Sequence, residues 1–190
     1  MNRAEAFSLV CEYTKNPSLI NHMRSVEIAM RAYARKLNED EEKWGLVGLM
    51  HDFDYERWPN PPDHPLKDSE ILRDQGYPEE VIYAIKSHAD YLPDCPRTHL
   101  LDKALYACDE LSGFVIAAAL VRPGGIVDMT ASSVKKKLKA KQFARNVKRE
   151  DIDRGAADFG VDLTEHIQFV IDALRPHAEE LGVLKGTGEG

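Results

Sequence analysis

Apolar residues recur at helical spacing along most of the chain. Phe7, Val10, Cys11 and Thr14 mark a first short helix. Asn16-Pro17 then pairs a good N-cap with a good first helical residue, and Leu19, Met23, Val26, Met30, Tyr33 and Leu37 carry one stripe to about Asn38. Asp40, with Glu41 and Glu42 behind it, is suited to open a third helix that ends near His51-Asp52. Four prolines in RWPNPPDHP, 57–65, forbid regular helix there. Pro65 suits the start of the next helix, which Gly76 ends, and Pro78, Glu79 and Glu80 open one that runs to His88. After Pro93 and Pro96, a strongly apolar helix spans about His99 to Val121 and breaks at Arg122-Pro123-Gly124-Gly125. The basic amphipathic run SVKKKLKAKQFARNVKRE and the stretches Asp151 to Phe159 and Leu163 to Leu181 supply further helices, and the GTGEG end (186–190) reads as a disordered tail. With no strand pairs and no internal repeat, the expected fold class is all-α.

Polar residues interrupt these stripes at particular places. LVGLMHDFDYERW drives an apolar helix into His51 and Asp52, then Asp54, Glu56 and Arg57. Burying such groups without partners costs several kcal/mol, roughly, so something must satisfy them. His22 sits among Ile20, Met23 and Val26, His64 follows the proline loop, and His88 ends the helix that carries Ile82 and Ile85. Asp109 lies in the otherwise apolar ALYACDELSGFVIAAAL. The order His22, His51-Asp52, His64, His88, Asp109 draws imidazole and carboxylate from separate helices, as a metal site in a helical core requires. Imidazole with carboxylate, and no cysteine pair nearby, favours one or two divalent ions of Fe, Mn, Zn, Co or Ni.

Composition narrows the classes. The 190 residues carry a formal net charge of -7, which argues against a general nucleic-acid or acidic-membrane binder. No apolar run is long enough to span a bilayer. Glu5 and Glu12 interrupt the N-terminal segment, which does not read as a signal peptide. Cys11, Cys95 and Cys108, odd in number and without CxxC spacing, fit reduced thiols, so a cytoplasmic location is expected. Eight cations from Lys135 to Arg149 form either a solvated helix face packed through Val134, Leu138 and Phe143 or a patch that faces polyanions.

The pieces NHMRSVEIAMRAYARKL, GLMHDFDYE and KALYACDELSGFV together resemble the HD superfamily of metal-dependent phosphohydrolases. DHPLKDSEIL with His64 and VIYAIKSHADY with His88 resemble the two extra histidines of its two-metal, HDIG-like branch. HDFD replaces HDIG, and the GYP element of cyclic-dinucleotide phosphodiesterases is absent. The resemblance implies a helical HD bundle over 1–125, with a helical extension over 126–185 packed on it. It implies that His22, His51, Asp52 and Asp109 ligate one ion, and that Asp52 bridges to a second held by His64 and His88. The implied activity is hydrolysis of a nucleotide or other small phosphorylated metabolite, mono- or diester, by metal-activated water. Lys67 and Arg24 are candidate phosphate contacts, and Glu56 and Asp54 are candidates to position or deprotonate the water. No nucleic-acid or membrane partner is expected, and a homodimer is compatible with the sequence. Two other readings fit the same ligands: a di-iron oxygenase of the HD type, and a non-catalytic, metal-stabilised module that senses or binds a nucleotide.

Overall fold

Nine α-helices and one short 3-10 helix, with no strand, make up the described residues, 2–185, of the computed structural model. The 186–190 tail lies outside them. By its contacts the chain divides into Met1–Tyr106 and Ala107–Gly190, a division that falls inside one helix and ahead of the Arg122-Pro123 break.

In the first unit, α1 (Arg3–Tyr13) starts from a capping box in which Asn2 and Glu5 bond each other's backbone N–H groups. α2 (Pro17–Leu37) runs between the caps read from the sequence: Asn16 accepts from the Ser18 N–H, and Asn38 closes the helix in the left-handed conformation. α3 (Glu41–Met50) begins at Asp40, which accepts from the Lys43 N–H, and ends with His51 as its C-cap. α4 (Asp63–Asp74) is bent at its start, because His64 precedes a proline and is pushed to extended backbone (ψ 132). α5 (Glu79–Ser87) ends with His88 as C-cap. The first turns of α6 (Leu100–Leu120) complete the unit.

α2 and α3 share the largest helix interface, and a glycine brings them together. A Cβ on Gly48 would stand 2.9 Å from the Glu27 backbone, so only glycine allows this approach. Met23, Val26 and Met30 from α2 and Val47, Leu49 and Met50 from α3 are fully buried between neighbours. Glu27 is buried beside them, and its charge is met by Arg3 at 2.6 Å and Arg31 at 2.9 Å. The result is a rigid pair of helices that carries His22 on one member and His51 at the end of the other.

The second unit holds the rest of α6, then α7 (Ala131–Leu138), α8 (Arg149–Phe159) and α9 (Leu163–Leu174). Two sequence expectations are corrected here. The basic run is helical only to Leu138 and continues as turns to the start of α8. Its own side chains hold it open: the Arg149 guanidinium collects the carbonyls of Phe143, Ala144 and Val147, and the Phe143 ring meets Phe114 edge-on at 5.5 Å. These tertiary contacts override the helix propensity of a Lys- and Ala-rich segment. The last helix stops at Leu174 and not Leu181, because Pro176 tightens the chain into a 3-10 turn at Arg175–His177. His166 is buried, and its Nε2 donates to the Ala107 carbonyl at 2.9 Å.

Candidate metal centre

Five of the six histidine and aspartate candidates converge within the first unit, around Asp52. Its Oδ2 lies 3.7 Å from His22 Nε2 and 3.5 Å from His51 Nε2. Its Oδ1 lies 3.4 Å from His64 Nε2 and 3.4 Å from His88 Nε2. Each oxygen of one carboxylate therefore faces its own pair of imidazoles. Within each pair the Nε2 atoms are 3.2 Å apart.

The opposite ring nitrogens explain why three of these four atoms, those of His51, His64 and His88, present lone pairs. His51 Nδ1 is 2.8 Å from the Gly48 carbonyl, and His88 Nδ1 is 2.5 Å from the Ile85 carbonyl. A carbonyl only accepts, so Nδ1 carries the proton and Nε2 does not. Both residues are helix C-caps bonded to the carbonyl three residues back, which is how a helix end fixes a ring. His64 is in a bend without that carbonyl, and its Nδ1 instead donates to Asp54 Oδ1 at 2.6 Å. Asp54 is fully buried, and its Oδ2 accepts from the Asp68 N–H at 3.1 Å. The Tyr91 hydroxyl donates to the His64 carbonyl, and Ser69 Oγ donates to the Pro65 carbonyl at 2.9 Å. Tyr55 leans its ring edge-on against His64, with centroids 5.1 Å apart.

The lone pairs of His64 and His88, which face each other at 3.2 Å beside a carboxylate, repel unless a positive charge lies among them. Bound divalent ions supply that charge, so the donor set fits a metal: two nitrogens and one oxygen on either side of Asp52. A third acidic group, Asp54, His64 and Asp68, has the wrong chemistry for an ion. Both Asp54 oxygens already accept hydrogen bonds. Asp68 is wholly buried; burial first, then the charge of Asp54, holds its carboxyl well above the usual carboxylate range. A shift in that direction favours the protonated carboxyl, which lacks the charge a hard cation prefers.

The remaining sequence candidates are placed elsewhere or differently. Asp54 is fully buried and is bonded to His64. Glu56 is exposed, and its Oε2 accepts from the backbone N–H groups of Lys15 and Asn16, each at 2.8 Å, which holds the entry to α2. Lys67 is paired with Glu70 at 2.8 Å, so a phosphate contact would have to displace a carboxylate. Arg24 is half-buried on α2. Asp109 belongs to the second unit and to none of the clustered groups among the described residues. Its neighbour Glu110 has a carboxyl pushed up to about 8 by burial and then by the charge of Asp109. Asp54, Asp68 and Tyr91 as supports of His64 were not read from the sequence. The one local signal was the acidic repeat in HDFD, which puts a second carboxylate two positions past the first.

The family model of the HD domain matches residues 19–113, half of the chain. The chain belongs to the HD domain family. The match encloses His22, the His51-Asp52 pair that gives the HD domain its name, His64, His88 and Asp109. No curated protein matches the chain, and no solved structure does. The HD domain assigns a class of metal-binding helical protein, and the side chains of this HD domain include His/Asp clusters able to hold a divalent ion. No helix among the described residues is long and apolar enough to cross a membrane.

Proposed function

We propose that this HD-domain protein is a metal-dependent phosphohydrolase that acts on a small phosphorylated compound, a nucleotide or another phosphorylated metabolite. The observation that carries the reading is the symmetry about Asp52: one carboxylate with an imidazole pair at each of its two oxygens. His22, His51 and Asp52 Oδ2 would hold one divalent ion; His64, His88 and Asp52 Oδ1 would hold the other. Asp109 is assigned to the first ion by the family resemblance alone. Bound metal would supply a nucleophilic water near neutral pH and offset the charge of the phosphate.

The chain's own part is to keep that chemistry in place. Asp52 is the only group of the set with an oxygen for each side. The Nδ1 bonds of His51, His64 and His88 fix their rings, so the donor atoms do not have to be ordered when substrate arrives. Asp52 is 16% exposed and His22 is 20% exposed, whereas His51 is fully buried. Asp52 and His22 are thus more open to solvent than His51.

The test is metal analysis of freshly purified protein, joined to hydrolysis of an aryl phosphate and an aryl phosphodiester with added manganese. Asp52→Asn keeps the shape and removes the bridging charge, and activity should fall at least about a hundredfold. Equal rates in the two proteins would place the activity elsewhere. Oxygen uptake without hydrolysis would identify a di-iron oxygenase instead.

A further inference from the structure

We propose that Asp54 is a positioning residue that makes the His64–His88 half of the centre able to bind metal, a support from outside the helix that His51 and His88 do not use. The inference rests on the metal reading above and adds what sets its two halves apart. His51 and His88 obtain their ring orientation from the carbonyl three residues back in their own helices. His64 cannot. The proline after it holds its backbone extended, so no helical carbonyl lies in reach of Nδ1. The acceptor comes instead from a residue ten positions earlier, Asp54 Oδ1 at 2.6 Å.

Asp54 is committed to this task at both oxygens. Oδ1 takes the Nδ1–H of His64 and Oδ2 takes the N–H of Asp68, with the side chain fully buried. Two acceptors therefore meet two donors, and a carboxylate is the one side chain of this size that offers both. An amide fails in either orientation. With its oxygen toward His64, its NH2 opposes the N–H of Asp68. Flipped, its NH2 points at His64 Nδ1, which must then accept, and the proton moves to Nε2. A ring protonated at Nε2 has no lone pair to give on the side of Asp52 Oδ1. Asp54→Asn therefore disables one histidine of one pair without touching the other pair.

The test uses the full chain in two measurements. First, imidazole nitrogen NMR on metal-free protein at a pH of about 9, above the imidazole range, reads each tautomer. His64 in the wild type should be protonated at Nδ1, and Asp54→Asn should move the proton wholly or partly to Nε2. Second, calorimetric titration with zinc(II) alone counts binding. The wild type should take two equivalents. Asp54→Asn should keep one unchanged and bind the other roughly 10- to 100-fold more weakly, the usual cost of losing a ligand's supporting partner.

A purely structural role would lower the melting temperature and weaken both equivalents alike, which would overturn the proposal. So would a wild-type His64 protonated at Nε2, a result that needs no folded variant. Wild-type protein that binds no zinc would sink the phosphohydrolase reading, and the tautomer comparison would still decide the role of Asp54.

Discussion

Thr14 donates its hydroxyl to the carbonyl of Phe53 at 2.9 Å, and both residues are fully buried. The bond ties the end of α1 to the loop between Asp52 and Asp54, so a residue far from the centre in sequence fixes its backbone. Thr14→Val keeps the volume and leaves a buried carbonyl without its donor, at a cost of about 1–3 kcal/mol. Chemical denaturation should show that loss. Zinc affinity should weaken as well, because the backbone that carries Asp52 is loosened. A variant as stable as the wild type would mean that the carbonyl finds another partner.

Gly48 sets the spacing of the two helices that carry His22 and His51. Gly48→Ala places a methyl 2.9 Å from the Glu27 backbone, where neither helix can yield through a side chain alone. Overpacking of this kind costs about 1–3 kcal/mol. The expected signature is a lower melting temperature with a weakened His22–His51 site, read by metal titration; an unshifted melt would show that α2 and α3 slide apart freely.

The Glu56 carboxyl is held below its usual value of 4.5 by the N–H of Asn16 first and Lys15 second. A carboxylate depressed on folding stabilises the fold above its unfolded pKa, and that stability is lost as pH falls through the lower folded value. Melting curves of wild type and Glu56→Gln should differ most above the usual carboxyl value of 4.5 and converge as pH falls below it. Metal stoichiometry should not change. A pH-independent difference would show that packing, and not the charge, is what the substitution removes.

Because the proposed ions join α2, α3, the bend of α4 and the end of α5, their removal should be felt by the whole first unit. Dialysis against a strong chelator should lower the melting temperature by several degrees, roughly, and added manganese should restore it. His88→Ala should bind one equivalent fewer and Asp52→Asn should impair both. A melt unmoved by verified metal removal would mean that these helices are held by their apolar contacts alone.

Local chemistry made much of this readable in advance. Asn16, Pro17 and Asn38 bound α2 because caps act within one turn. His51 and His88 could be placed at helix ends because an apolar run leads into the first and an apolar stripe leads up to the second. What could not be read depends on distance through space. Nothing in the sequence says that Arg149 gathers the carbonyls of the residues before it and so keeps 139–148 from extending α7. Nor does it say that Asp54 turns inward to His64 while Glu56, two positions on, turns outward to the start of α2. Both are acidic residues in one short loop, and their roles differ only by which way the turn points them.

The two helix-end histidines carry a further consequence. Each finds its ring acceptor in its own last turn, so each is a self-contained part: an apolar helix, its closing histidine and the carbonyl three residues behind. The ring orientation of such a part depends on no residue outside its own last turn. His64 has no such independence. It can be relocated only together with the loop that brings Asp54, and a lineage that loses either residue loses both uses. Of the four histidines of the centre, two thus take their ring acceptor from their own helix and one takes it from a separate loop.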